Sequence, residues 1–178
     1  MFSFLTIVLG LCLIAFFKDV IQIDIVVNII IFLFSIAVSV DVCRSKKYRK
    51  YTFPILLGYF FRILLLYYDV YSNDPFNLPL VGGPLTSDPY YFYQAALGYS
   101  QGVSSGYGGI FPRVLGVIFK FSCDSRLWAE FWVLLASIGT ILVFANIITE
   151  LDVSNNARIK GMYLISLLPN YASTATTR

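Results

Sequence analysis

Apolar residues in this chain fall into blocks of roughly 15 to 23 residues, separated by short polar or Gly/Pro-rich stretches. A helix needs roughly 20 such residues to cross a hydrocarbon core of about 30 Å, so each block is a candidate membrane span. The composition agrees. Hydrophobic residues make up 58%, charged residues 13%, and mean hydropathy is +0.75, whereas a soluble domain carries about 25% charge to keep its surface wet. A soluble-domain reading is excluded, and the expected fold is an all-α, polytopic transmembrane bundle of about five to six spans.

The first block, Phe2 to Phe17, stops at Lys18-Asp19. It lacks the basic n-region and small-residue cleavage site of a signal peptide, so it reads as a short retained span. A second block runs from about Ile21 to Val40, with Asp24 near its start. The segment that follows, from Cys43 to Lys50, holds five of the thirteen Lys and Arg within seven positions. Such a short basic loop lies on the cytoplasmic side by the positive-inside rule. Residues 1–50 are then a helical hairpin plus a cytoplasmic loop, with the amino terminus inside. The third span, 51–68, runs outward.

Residues 69–109 follow as an extracellular loop. Pro75, Pro79, Gly82-Gly83-Pro84 and Pro89 break regular structure there, and a connection of this length between spans tends to be functional or disordered. Its aromatic content favours function. Ser87-Asp88-Pro89 is a helix start, with a cap residue and then Pro at the first helical position. The spacing predicts a juxtamembrane helix from Pro89 to Leu97, ending at Gly98, with Tyr90, Tyr91, Phe92 and Tyr93 at headgroup depth.

Residues 110–178 hold further spans: Ile110 to Phe121, Leu127 to Ile148, and an apolar stretch from Met162 to Leu168 that Pro169-Asn170 interrupts. Two topologies stay open. If Ile110–Phe121 crosses completely, the loop around Asp124 and Arg126 is cytoplasmic; if it only dips in, the loop from Glu150 to Lys160 is cytoplasmic instead. Full crossing is preferred.

The chain has no histidine, which removes Ser-His and Cys-His nucleophilic sites, imidazole metal ligands and imidazole proton shuttles. Cys12, Cys43 and Cys123 are isolated in sequence and form no CxxC pair. No phosphate-binding glycine loop occurs in the required strand–helix context. Carboxylates, arginines, tyrosines and backbone remain as actors.

Arg62 falls near the middle of the third span, about 16 Å from its inner end and about 10 Å from its outer end at 1.5 Å per residue. Facing lipid it would be costly. It is either a structural arginine satisfied by carbonyls or by a carboxylate such as Asp24, or the lining of a polar cavity. Asp88 is a helix cap or a general base acting on a hydroxyl acceptor. Asp69 terminates the span, and Asp74, before Pro75, is a turn residue.

The stretches "GYFFRILLLYYDVY", "LPLVGGPLTSDPYYFYQAA", "GGIFPRVLGVIFKF" and "ISLLPNYASTATTR" together resemble the amino-terminal half of bacterial membrane glycosyltransferases of the GT-C superfamily. The likeness is to the branch of protein mannosyltransferases and lipid A aminoarabinose transferases, as found in surface-polysaccharide assembly. The resemblance implies transfer of a sugar from a polyprenyl-phosphate donor to a glycan or lipid acceptor at the outer face of the cell membrane. Asp88 is the residue that matches the family's external acidic base. Arg113, Arg178, Arg62 and Asp69 are candidate substrate-binding residues, arginines suiting a departing phosphate because their planar fork matches its oxygens. The plain alternatives are an interfacial anchor for Arg113 and a chain end for Arg178. No cofactor is expected, no divalent metal is indicated, and no nucleic-acid partner is expected. On this resemblance the chain is part of a longer enzyme and by itself lacks half of the donor cavity. The rival readings are an O-antigen-type polysaccharide polymerase and a non-enzymatic membrane subunit or transporter fragment.

Overall fold

The computed structural model describes residues 2–17, 22–71, 88–103 and 109–167, without the side chains of 15–17, 69 and 88–90. Among the described residues the chain is all-helical: α1 (Phe2–Phe17), α2 (Ile23–Arg44), α3 (Thr52–Tyr71), α4 (Asp88–Ser100), α5 (Ile110–Phe121), α6 (Arg126–Glu150) and α7 (Asn155–Leu167). Two of them, α2 and α6, are long and apolar enough to cross a membrane; the apolar parts of α1 and α3 are shorter. A helix suits such sequences because it pairs its own backbone groups without water.

The core forms where α2, α3 and α6 meet. Phe34 stands edge-on to Phe131, with ring centroids 5.4 Å apart, and edge-on to Tyr59. Trp128 stacks on Phe131 one helical turn away. These aromatic contacts favour offset or perpendicular geometry because of the ring quadrupole.

Polar side chains give the bundle two unlike ends. At one, Ser3 donates its N–H and hydroxyl to Asp41 at 3.0 and 2.8 Å, and the Arg44 guanidinium lies 5.7 Å from the Phe2 ring centroid. The start of α1 therefore sits beside the end of α2. Tyr48 donates to Asn146 Oδ1 at 3.1 Å, placing the end of α6 at this same basic end. At the other, Asn28 near the start of α2 bonds Tyr67 and Tyr71 near the end of α3, and Asp24 accepts from Ser125, the cap of α6. This is the tyrosine end.

α3 finishes at the tyrosine end and α6 starts there. The 12-residue α5 spans about 18 Å and crosses α4, with Gly116 at the contact. The two helices flank the first turns of α6, where Phe92, Tyr93, Phe111 and Leu115 share a small gap with Arg126 and Ala129.

Two helix limits differ from the sequence expectation. α4 runs through Gly98 to Ser100 because its left-handed stop is Gly102, at φ 83°. There Val103 donates to the Gly98 carbonyl at 2.8 Å and Gly102 to Tyr99 at 3.1 Å, the paired bonds of a Schellman ending. α7 begins at Asn155, well before the apolar stretch, because the Ser154 hydroxyl accepts the Ala157 N–H at 3.3 Å, as an N-cap does.

Candidate functional site

The tyrosine end holds the densest polar assembly among the described residues. Asn28 sits one turn after Asp24, so both face the same way on α2. Asn28 accepts from the Tyr67 hydroxyl at 2.7 Å and donates to Tyr71 at 3.1 Å; Tyr67 and Tyr71, also one turn apart, stack with centroids separated by 5.9 Å. The Ser125 hydroxyl caps α6 by accepting from Trp128 N and donates to Asp24 Oδ1 at 2.6 Å. A carboxylate–hydroxyl bond of this charge-assisted kind is short and strong.

α4 joins this assembly through Tyr93, whose hydroxyl donates to the Asp124 carbonyl at 2.7 Å. Burial raises the Tyr93 phenol above its usual range, and the Asp124 charge adds to that shift while Arg126 opposes it. Burial likewise pushes the neighbouring Cys123 thiol up to about 11. Tyr93 is thus a neutral hydrogen-bond donor at physiological pH, holding the amino-terminal half of α4 against the α5–α6 corner.

Asp88 opens α4 as its first helical residue. Its side chain lies outside the described residues, as do the Asp69 side chain, Asp74 and Arg178.

Arg113 is exposed on α5 and rests on Tyr99, its guanidinium carbon 5.7 Å from the ring centroid and its Nε 3.5 Å from the hydroxyl. Tyr99 is eleven residues along α4 from Asp88, about 16 Å of helix. The structure therefore puts Arg113 and Asp88 at opposite ends of α4 and does not bring them together.

Arg62 is buried, at 5% exposure, and its partners are carbonyls rather than Asp24. Nη1 donates to Gly58 O at 3.0 Å and to Ser166 O, and Nη2 donates to Ile165 O at 3.3 Å. The last carbonyls of a helix have no internal donors. Here the shortage is aggravated because Pro169 has no N–H to return to the Ile165 carbonyl four residues earlier. The guanidinium supplies donors in their place, and its positive charge meets the negative end of the α7 dipole. Of the two readings the sequence left open for Arg62, the carbonyl-satisfied one is observed. Arg62 Nε and Ser166 Oγ remain buried without a partner.

Sequence reasoning did not single out Asn28, Tyr67, Tyr71 or Ser125, and it read Tyr93 as an interfacial ring rather than as a donor to Asp124. The signal was present: Asp24 and Asn28, and Tyr67 and Tyr71, are i,i+4 pairs in largely apolar helices. Between α2 and α3 runs an apolar groove of about 460 Å³, lined by Ile31, Phe32, Ser35, Ile36, Phe60 and Tyr67 among others. Among the described residues no cluster of three or more His, Cys, Asp or Glu could hold a metal ion.

No protein-family model, curated protein or solved structure matches the chain.

Proposed function

We propose that the chain is a multi-pass membrane protein whose basic end faces the cytoplasm and whose tyrosine end faces outward, and that it belongs to a glycosyltransferase using a polyprenyl-phosphate sugar donor. The observation that carries this reading is the placement of α4. A helix opening on Asp88 is fastened at the tyrosine end, where its Tyr93 hydroxyl donates to the Asp124 carbonyl. The basic loop at the opposite end supports the orientation.

The chemistry follows from that placement. An acceptor hydroxyl attacks the anomeric carbon of the donor sugar, the carbon–oxygen bond to phosphate breaks, and its electron pair leaves on the lipid phosphate. Asp88 takes the hydroxyl proton as general base. The leaving group is already an anion-stabilising phosphate, so the protein needs mainly to position the acceptor and balance charge. Arg113, on α5 beside Tyr99, lies too far from the start of α4 for that task and serves as an interfacial anchor; the phosphate contact is assigned to Arg178. The groove between α2 and α3 suits part of the donor's hydrocarbon tail.

Asp88→Asn in the intact gene product tests the assignment, because the amide keeps the shape and loses the base. Sugar transfer from a polyprenyl-phosphate donor falls at least about a hundredfold, within the range for removing a general base, while membrane insertion is unchanged. Full activity in that variant removes Asp88 from the base role. One observation favours the non-enzymatic alternative: Arg62, the mid-span charge, is occupied by α7 carbonyls, which is the use a packing subunit has for it.

A further inference from the structure

The basic end carries more charge than orientation alone requires, and the fold holds that charge in place. Arg44, Lys46, Lys47, Arg49 and Lys50 are all exposed. Ordinarily a lysine-rich loop would be mobile, but this one is a tight turn fastened at two tyrosines. Tyr51 is 3% exposed and donates its N–H to the Tyr48 carbonyl at 2.8 Å. The Tyr48 ring reaches across to Asn146 near the end of α6. Lys160, exposed on the second turn of α7, adds a further cation, since α7 starts from the same end. The acidic groups nearby are Asp41, Glu150 and Asp152; Asp41 is engaged by Ser3.

We propose that this end is a docking surface for anionic phospholipid headgroups of the leaflet it faces. The proposal rests on the membrane orientation given above. Clusters of four to eight Lys and Arg immediately beyond a membrane helix attract acidic lipid, and each contributes measurably within a Debye length of the surface. The pinned turn strengthens the effect because little chain freedom is lost when the headgroups gather. Charge complementarity selects anionic over zwitterionic headgroups, and the position at the end of α2 and the start of α3 puts the cations at headgroup depth.

Purified protein in nanodiscs containing phosphatidylcholine with a minority of phosphatidylglycerol provides the test, read by spin-labelled lipids of each type. The wild type prefers phosphatidylglycerol by up to about fivefold, the ratio equivalent to the attraction of one well-placed surface cation. Replacing Lys46, Lys47, Arg49 and Lys50 together by Gln abolishes the preference, whereas Lys46→Arg with Lys47→Arg and Lys50→Arg keeps it. Nanodiscs expose both faces, so a change of insertion direction cannot imitate the loss. An equal preference in the Gln variant, or none in the wild type, overturns the proposal. So does abolition of the preference by millimolar inorganic phosphate, which would make free phosphate the ligand. A protein that stays dispersed without detergent or lipid would instead overturn the membrane reading beneath it.

Discussion

The α3–α7 and α4–α5 pairs use the same device and put it to different ends. Each pair crosses at a glycine, Gly58 or Gly116, where an added Cβ would lie 2.7 Å from the Ser166 Cβ or 2.6 Å from the Tyr99 Cβ. Each also carries an arginine near the crossing, Arg62 four residues after Gly58 and Arg113 three before Gly116. Small residues let helix backbones approach closely where lipid provides no hydrophobic drive. The difference is burial. Arg62 is enclosed and donates to α7 carbonyls, whereas Arg113 is exposed and rests on a tyrosine face. An arginine at a close helix crossing therefore takes its role from how deeply the crossing is buried.

The sharpest way to break this comparison is at Gly58. Its missing Cβ would meet Ser166 backbone atoms at 2.8 and 3.0 Å, and backbone cannot move aside as a side chain can. Gly58→Leu separates α3 from α7 and costs about 3 kcal/mol or more, read as a lower melting temperature in detergent. Cross-linking of a Phe53→Cys, Tyr163→Cys pair, whose native rings lie 6.2 Å apart, also fails in that variant.

Arg62→Leu comes next. It leaves the Ile165 and Ser166 carbonyls without their donors, at about 1–3 kcal/mol in total once the relief of removing a buried charge is counted. Arg62→Lys retains part of the stability, because one ammonium cannot span both carbonyls as the fork does. Equal stability of Arg62→Leu and wild type would mean that the Ile165 and Ser166 carbonyls do not need the guanidinium.

At the other crossing, Gly116→Ala drives a methyl group against Tyr99 and the Ala96 carbonyl. The expected loss is about 1–2 kcal/mol, accompanied by faster amide hydrogen exchange in α4 than in the wild type while α6 is little changed. Arg113→Gln produces the smallest effect, within about 0.5 kcal/mol, since exposed cation–π contacts contribute little. A larger loss for Arg113→Gln than for Arg62→Leu would reverse the comparison.

Much of the helical pattern was legible because apolar block length carries it: α1 matches its block end for end, and α6 extends the Leu127–Ile148 block by one residue before it and two after. Errors arose where capping, a one-residue decision, fixed the limits. Gly98 looked like a stop, yet the positive φ falls at Gly102; Ser154 lay in what read as a loop, yet it starts a helix four turns before Pro169. The direction of α5 was not legible, because nearly equal basic residues flank both neighbouring loops; nor was the placing of the start of α6 beside α2, which rests on long-range pairs such as Asp24 with Ser125. For the candidate site, the sequence marked Asp88 correctly as a helix start. It did not reveal that Arg113 and Asp88 sit at opposite ends of α4, since that depends on the angle at which α5 crosses.

The central proposal is that the end of α3 and the start of α6, which share the tyrosine end, lie at the same face of the membrane. Single cysteines in place of Ser104, Asp124 and Ser45, in a background with Cys12, Cys43 and Cys123 changed to serine, test it by reaction with an impermeant maleimide in intact cells. Removing Cys123 matters because burial pushes its thiol to about 11 and makes it a slow reporter. The account predicts that positions 104 and 124 react from outside while position 45 reacts only after the cells are opened. Labelling at 104 with protection at 124 would mean that α5 crosses the membrane, contradicting the arrangement on which the candidate site rests.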